Sequence, residues 1–149
     1  MHRLRASFFA FVLFAAPLCA ARDLAIVVNK GNSASTVSVA ELEKLLKAAT
    51  RSWPDGKKVK VILTDPGSPG TKMLFERAYK LSPAEIKSLA DTHRADIQIV
   101  SSDDIVLTMV ETTPGAIGIV NVYSINSRVK VLKVDDKLPM ESGYLLHGN

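Results

Sequence analysis

The spacing of apolar positions changes several times along the chain, and each change marks an element. Leu24-Ala25-Ile26-Val27-Val28 is a continuous apolar run rich in β-branched residues. That is the pattern of a strand buried on both faces. Asn29-Lys30-Gly31-Asn32-Ser33 interrupts it with loop-forming residues. Val39, Leu42, Leu45 and Leu46 then recur on one face of an amphipathic helix. Ser38 and Glu41 provide a capping box for its first turn, and the helix is predicted to end near Ala49. Trp53-Pro54-Asp55-Gly56 has proline second and glycine fourth, which is turn chemistry. Val59, Val61 and Leu63 alternate with Lys60, Ile62 and Thr64 as a second strand.

The alternation of strand and helix continues. A helix is expected from near Thr71, with Leu74, Phe75 and Ala78 on its inner face. Ser82-Pro83-Ala84-Glu85 is a second capping box, with proline at the favoured first helical position. Its helix turns Ile86, Leu89 and Ala90 inward and fades near His93. Ile97, Ile99 and Val100 form a third strand. Ser101-Ser102-Asp103-Asp104 opens a further helix, hydroxyl cap first and carboxylates in the first turn. Ile105, Val106, Met109 and Val110 are its expected buried side, and Thr113-Pro114-Gly115 ends it. Residues 116–120 form a fourth strand, where Gly118 signals close backbone approach. Residues 129–134 form a fifth, and the tail from Asp135 can dock through Tyr144-Leu145-Leu146. The pattern predicts one α/β domain, a three-layer sandwich around a central, mostly parallel sheet. No repeat, low-complexity tract or linker divides it.

The first residues read as an address rather than as structure. Arg3 and Arg5 precede an apolar run from Phe8 to Ala16, and Pro17 precedes the small residues Cys19, Ala20 and Ala21. This is the plan of a cleavable secretory signal over residues 1–21. The run is shorter than the ~20 residues of a membrane-spanning helix. The alternatives are a lipid-modified Cys19, for which Leu18 is the wrong preceding residue, and an uncleaved anchor. Cleavage changes the composition. Basic residues fall from 19 to 17 while acidic residues stay at 15, so a net charge of +4 becomes +2. The only cysteine and four of the five phenylalanines leave with the signal. A chain without thiols suits an oxidising compartment such as the periplasm. Its even balance of charge gives no footprint for nucleic acid.

In open α/β sheets, ligands bind beyond the carboxyl ends of strands and often at helix N-termini. Three loops are expected there: 29–38 with Ser33, 65–71, and Ser101-Ser102. The second, Asp65-Pro66-Gly67-Ser68-Pro69-Gly70-Thr71, combines glycines, hydroxyls and the positive end of a helix, which suits an anion. Lys72 adds a positive charge beside it. The plainer reading is a strand-to-helix turn with Thr71 as N-cap. The order Gly70-Thr71-Lys72 is not that of a nucleotide-binding phosphate loop. No nucleophile elbow surrounds Ser68. His93 and His147 have no partner at metal-ligand spacing. No catalytic residue, metal or cofactor is therefore assigned. His93 reads as a helix-end surface residue, Asp103-Asp104 as a first-turn charge pair and Trp53 as a packing anchor.

Several segments in order resemble the periplasmic phosphate-binding proteins of ABC transporters. Leu24 to Asn32 is similar to the family's aliphatic strand followed by Asn-x-x-Asn. Leu42 to Leu46 with Trp53-Pro54-Asp55-Gly56 resembles its helix and Trp-x-x-Gly turn. Gly67-Ser68-x-Gly70-Thr71 with Phe75 resembles its Ser-Gly-Thr anion loop. Pro114-Gly115-Ala116-Ile117-Gly118 resembles its Pro-Gly-Ala-Ile-Gly segment. Two features depart from the pattern: Pro69 is inserted between Ser68 and Gly70, and Asp65 stands where the family usually carries arginine. The family folds as two lobes around its ligand, and the ~128 residues after the signal match about one lobe.

The resemblance implies a non-enzymatic periplasmic substrate-binding protein for phosphate or another small oxyanion, associated with ABC-type import and so with a permease or other envelope protein. Ser68, Gly70 and Thr71 are the ligand-binding residues it implies, with Ser33 and Ser101 as further donors. Asp65 would accept a hydrogen bond from a protonated phosphate oxygen. The alternative is an interaction or sensor module that kept the fold, lost the ligand and binds a protein partner.

Overall fold

The computed structural model describes residues 22–148, so the expected signal over 1–21 lies outside the described residues. In chain order the elements are β1 (Leu24–Asn29), β2 (Thr36–Val37), α1 (Val39–Leu46), β3 (Lys60–Leu63), α2 (Lys72–Tyr79), α3 (Pro83–Thr92), β4 (Ile97–Ile99), α4 (Asp103–Thr112), β5 (Ala116–Asn121) and β6 (Val129–Val134). A short 3-10 turn, Val122–Ser124, follows β5. The six strands form one sheet in the order β2-β6-β1-β5-β3-β4.

The sequence reading locates all five longer strands and all four helices. It misses β2, whose two residues are too few to show a period and pair only with the edge of β6. The sheet is mixed in one respect. β1 runs antiparallel to both β5 and β6, while β3 is parallel to β4 and β5, and β2 to β6. Five strands therefore point one way and β1 points the other.

The apolar run of β1 is buried on both faces, as its composition predicts. Leu24, Ile26 and Val28 pack with α1, α2 and α3, whereas Ala25 and Val27 pack with α4. Ile62 of β3 and Val120 of β5 join the α4 side. Three helices on one face and one on the other make the three layers. Gly118 sits where the α4 layer comes closest: a Cβ there would lie 2.6 Å from a methyl of Val106.

The caps show which local signals hold. Ser38 and Glu41 close the first capping box in both directions, at 3.2 and 2.7 Å. Ser82 caps α3 by accepting from the N–H of Glu85, but the Glu85 carboxylate takes the Ser82 hydroxyl rather than its amide. The second box is thus half formed. Gly56 donates its N–H to the Trp53 carbonyl at 2.8 Å, which confirms the turn. The tail docks as expected, with Tyr144 and Leu146 buried and the Tyr144 hydroxyl on the carbonyl of Leu24 at 2.8 Å. One inward assignment is corrected: Ile105 is 41% exposed, and Leu107 is buried in its place. The buried stripe of α4 runs through Val106, Leu107 and Val110, which puts Ile105 on the outward side of the helix.

Candidate functional site

β3, β4 and β5 point the same way and all end at one edge of the sheet. α2 and α4 begin at that edge, on opposite faces. Between them lies a cleft of about 280 Å³. Leu24, Phe75, Ile119 and Val120 form its apolar floor, and Thr64, Asp65, Ser68, Thr71, Ser101, Ser102, Asp103 and Asn121 supply its polar wall. A larger groove of about 400 Å³ between α1 and the β2 edge is lined by Ala34, Val37, Leu45, Trp53 and others, and holds none of the expected site residues.

Four of the six expected residues, Asp65, Ser68, Thr71 and Ser101, come together in this cleft. Gly70 lies in the loop beside it, fully open on its Cβ side, and does not line it. Ser33 is at the other end of the sheet. The Asn29 side-chain amide donates to the carbonyls of Val110 and Glu111, in the last turn of α4, whereas the cleft lies at the first turn. Ten helical residues span about 15 Å, which separates the two places. The expectation that loop 29–38 shares the edge assumed that β1 is parallel to its neighbours, and its antiparallel pairing reverses it.

The 65–71 loop is held by its own polar groups. Asp65 Oδ1 accepts from the N–H of Gly67 at 2.9 Å and pairs with Lys87 Nζ at 3.2 Å. The amide and Lys87 together hold the Asp65 carboxyl below its usual range, the amide contributing most. The Ser68 carbonyl accepts from the amides of Thr71 and Lys72, at 3.1 and 2.8 Å. Those two N–H groups are spent inside the turn, so the donors left to the cleft here are chiefly hydroxyls. Thr71 occupies the N-cap position but makes no capping bond. Its Oγ1 is buried and without a partner among the described residues. A buried hydroxyl left in that state costs roughly 1–3 kcal/mol, so this one is poised to take up a polar group.

On the opposite wall, Ser102 caps α4 through the N–H of Ile105. Asp103 Oδ2 accepts from the amide of Asn121 at 2.9 Å and the hydroxyl of Ser124 at 2.8 Å. This ties the start of α4 to the end of β5. The sequence alone reads Asp103 as a simple first-turn charge; it brings Ser102 to this edge with Ser101 but does not single out Thr64 or Asn121. Thr64 and Asn121 were findable, since each stands at the carboxyl end of a strand. Among the described residues, no lysine or arginine lines the cleft. An ionic ligand here would meet neutral donors, two carboxylates and the positive ends of two helices.

His93 caps the C-terminus of α3, as a helix-end residue should. His147 instead meets Asp23, with Nδ1 and Oδ1 2.7 Å apart. The two lie too far apart in sequence for any motif to join them. No group of residues able to hold a metal ion occurs among the described residues, and no helix there is long and apolar enough to cross a membrane.

A model of the PBP superfamily domain matches residues 14–144. Similar solved structures include an ABC-type phosphate transport receptor from Vibrio cholerae, 22% identical with a TM-score of 0.64, aligned over 79% of this chain and 48% of that one. PstS from Borrelia burgdorferi is 19% identical with a TM-score of 0.66, over 86% of this chain and 55% of that one. A phosphate binding protein from Stenotrophomonas maltophilia is 18% identical with a TM-score of 0.61, over 79% and 40%. No curated protein matches. The chain spans roughly half the length of these structures. The matched model and the shared three-layer fold place the chain in the PBP superfamily.

Proposed function

We propose that the chain binds a small oxyanion, phosphate or one like it, in the cleft between the starts of α2 and α4. One observation carries this reading: Asp65, Ser68, Thr71 and Ser101 meet around a single cleft at two helix N-termini, and the Thr71 hydroxyl there has no partner among the described residues. The hydroxyls donate to the anion and the helix ends complement its charge. Asp65, kept ionised, accepts from an oxygen that still carries its proton. The structures named above as phosphate receptors lend weight to phosphate within this class.

The same reading makes the protein a binding component rather than an enzyme, since among the described residues the cleft gathers hydroxyls and carboxylates and no histidine to activate them. It also makes it an exported component of an ABC importer, working beside a permease in the periplasm after loss of residues 1–21. The n-region arginines, the short apolar run and the small residues before Arg22 support export.

The test is calorimetric titration of the folded chain from Arg22 with phosphate and with sulfate. Heat with phosphate that disappears in Ser68→Ala or Thr71→Val supports the reading, and silence at millimolar ligand ends it. The second reading, a module that binds a protein partner and no anion, is favoured by one feature: no basic side chain among the described residues lines the cleft. It predicts silent titrations.

A further inference from the structure

The edge of the sheet that carries the cleft also carries most of the large apolar side chains left in solvent. Met73 is 52% exposed in the first turn of α2, and Ile105 is 41% exposed in the first turn of α4. Tyr123, 70% exposed, stands on the turn after β5. Met140, 68% exposed, shares a groove with Tyr123 and Asp23 at the start of β1. Helical side chains lean toward the N-terminus, so Met73 and Ile105 lean toward this edge. Single exposed apolar residues need no explanation, but four along one edge indicate a contact surface.

The charges on this edge indicate what it contacts. Lys72 precedes Met73, and Asp104 precedes Ile105. All four are exposed, and among the described residues neither Lys72 nor Asp104 has an ion-pair partner. α2 and α4 lie on opposite faces of the sheet. A two-fold axis in the plane of the sheet, across the strands and just beyond the cleft, exchanges those faces and turns the two clefts toward each other. It sets the start of α2 in one copy against the start of α4 in the other, so that Lys72 meets Asp104 and Met73 meets Ile105, twice. A surface that complements itself under a two-fold rotation is what an isologous dimer requires. An unrelated partner has no need of it.

We propose that a second copy of this chain covers this edge, in a two-fold dimer whose clefts face each other and so gain a second wall. The dimer rests on the rim residues and not on the anion reading. It is therefore measured first without any anion, and the two proposals fail separately.

Sedimentation velocity of the chain from Arg22 should show a concentration-dependent dimer. A monomer at every soluble concentration overturns the proposal. Lys72→Glu and Asp104→Lys should each weaken the dimer by about tenfold or more, because like charges then face each other. Mixing the two variants should restore a heterodimer, and combining both changes in one chain should restore the homodimer. If neither recovers while both variants keep the parent melting temperature, this pairing is wrong. If a single variant does not fold, the double variant and the mass of the parent chain still decide. Repeating the run with phosphate then shows whether ligand and dimer are coupled.

Discussion

The indole Nε1 of Trp53 donates to the carbonyl of Gly115 across 2.8 Å, in a buried setting. This bond joins the turn before β3 to the residue just ahead of β5, and so fixes two of the strands whose ends build the cleft. Trp53 is 4% exposed, an anchor and not a ligand platform. Trp53→Phe should cost about 1–2 kcal/mol through the lost bond, and Trp53→Ala about 3–5 kcal/mol through the cavity. Urea unfolding followed by circular dichroism measures both, since the only tryptophan is removed. A Trp53→Ala loss below that of Trp53→Phe would contradict the anchor role.

Two glycines near this bond should differ in their tolerance of a methyl group. At Gly115 φ is +82°, and a Cβ would lie 2.1 Å from the backbone oxygen of Lys58. At Gly118 the nearest obstacles are methyls of Val106 and Val110, at 2.6 and 3.0 Å. Side-chain methyls can shift where a carbonyl cannot. Gly118→Ala should therefore cost about 1–3 kcal/mol and Gly115→Ala more. The ranking is read from paired denaturation midpoints.

The antiparallel course of β1 gives a prediction that separates residues of similar chemistry. Ser33 and Ser101 are both exposed serines in loops that follow strands. Ser101→Ala should weaken phosphate binding severalfold, whereas Ser33→Ala should leave it unchanged. Equal effects in calorimetry would show that the ligand does not sit at the α2–α4 edge.

Asp65 sets the pH dependence. Its carboxyl is held below its ordinary 3.8 by the Gly67 amide and then by Lys87. A lowered folded pKa means that its support of the loop is complete above that ordinary value and is lost only on further acidification. Near neutrality Asp65 stays ionised, so any change in binding comes from the ligand's own last proton. Phosphate affinity should fall as pH rises and that proton is lost. Asp65→Asn should flatten the profile and improve binding of sulfate, as parallel titrations across the neutral range would reveal.

The sequence by itself determined the elements, because their causes are local. The β-branched run of β1, the Ser38–Glu41 box, Pro83 at a helix start and the Pro114-Gly115 stop each act within a few residues. It also pointed to the loop from Asp65 to Thr71, because glycines and hydroxyls ahead of a helix have local meaning. Strand direction was decided only by tertiary pairing. A strand buried on both faces has the same apolar run whichever way it points, so nothing in Leu24–Asn29 separates Ser33 from the cleft. The Asp103 link to Asn121 and the Asp23 contact with His147 depend on strand order and on docking of the tail, and no local pattern encodes them. Ile105 shows the same limit: two apolar stripes can be drawn along α4, and only its docking on the sheet decides that Val106, Leu107 and Val110 turn inward and Ile105 outward.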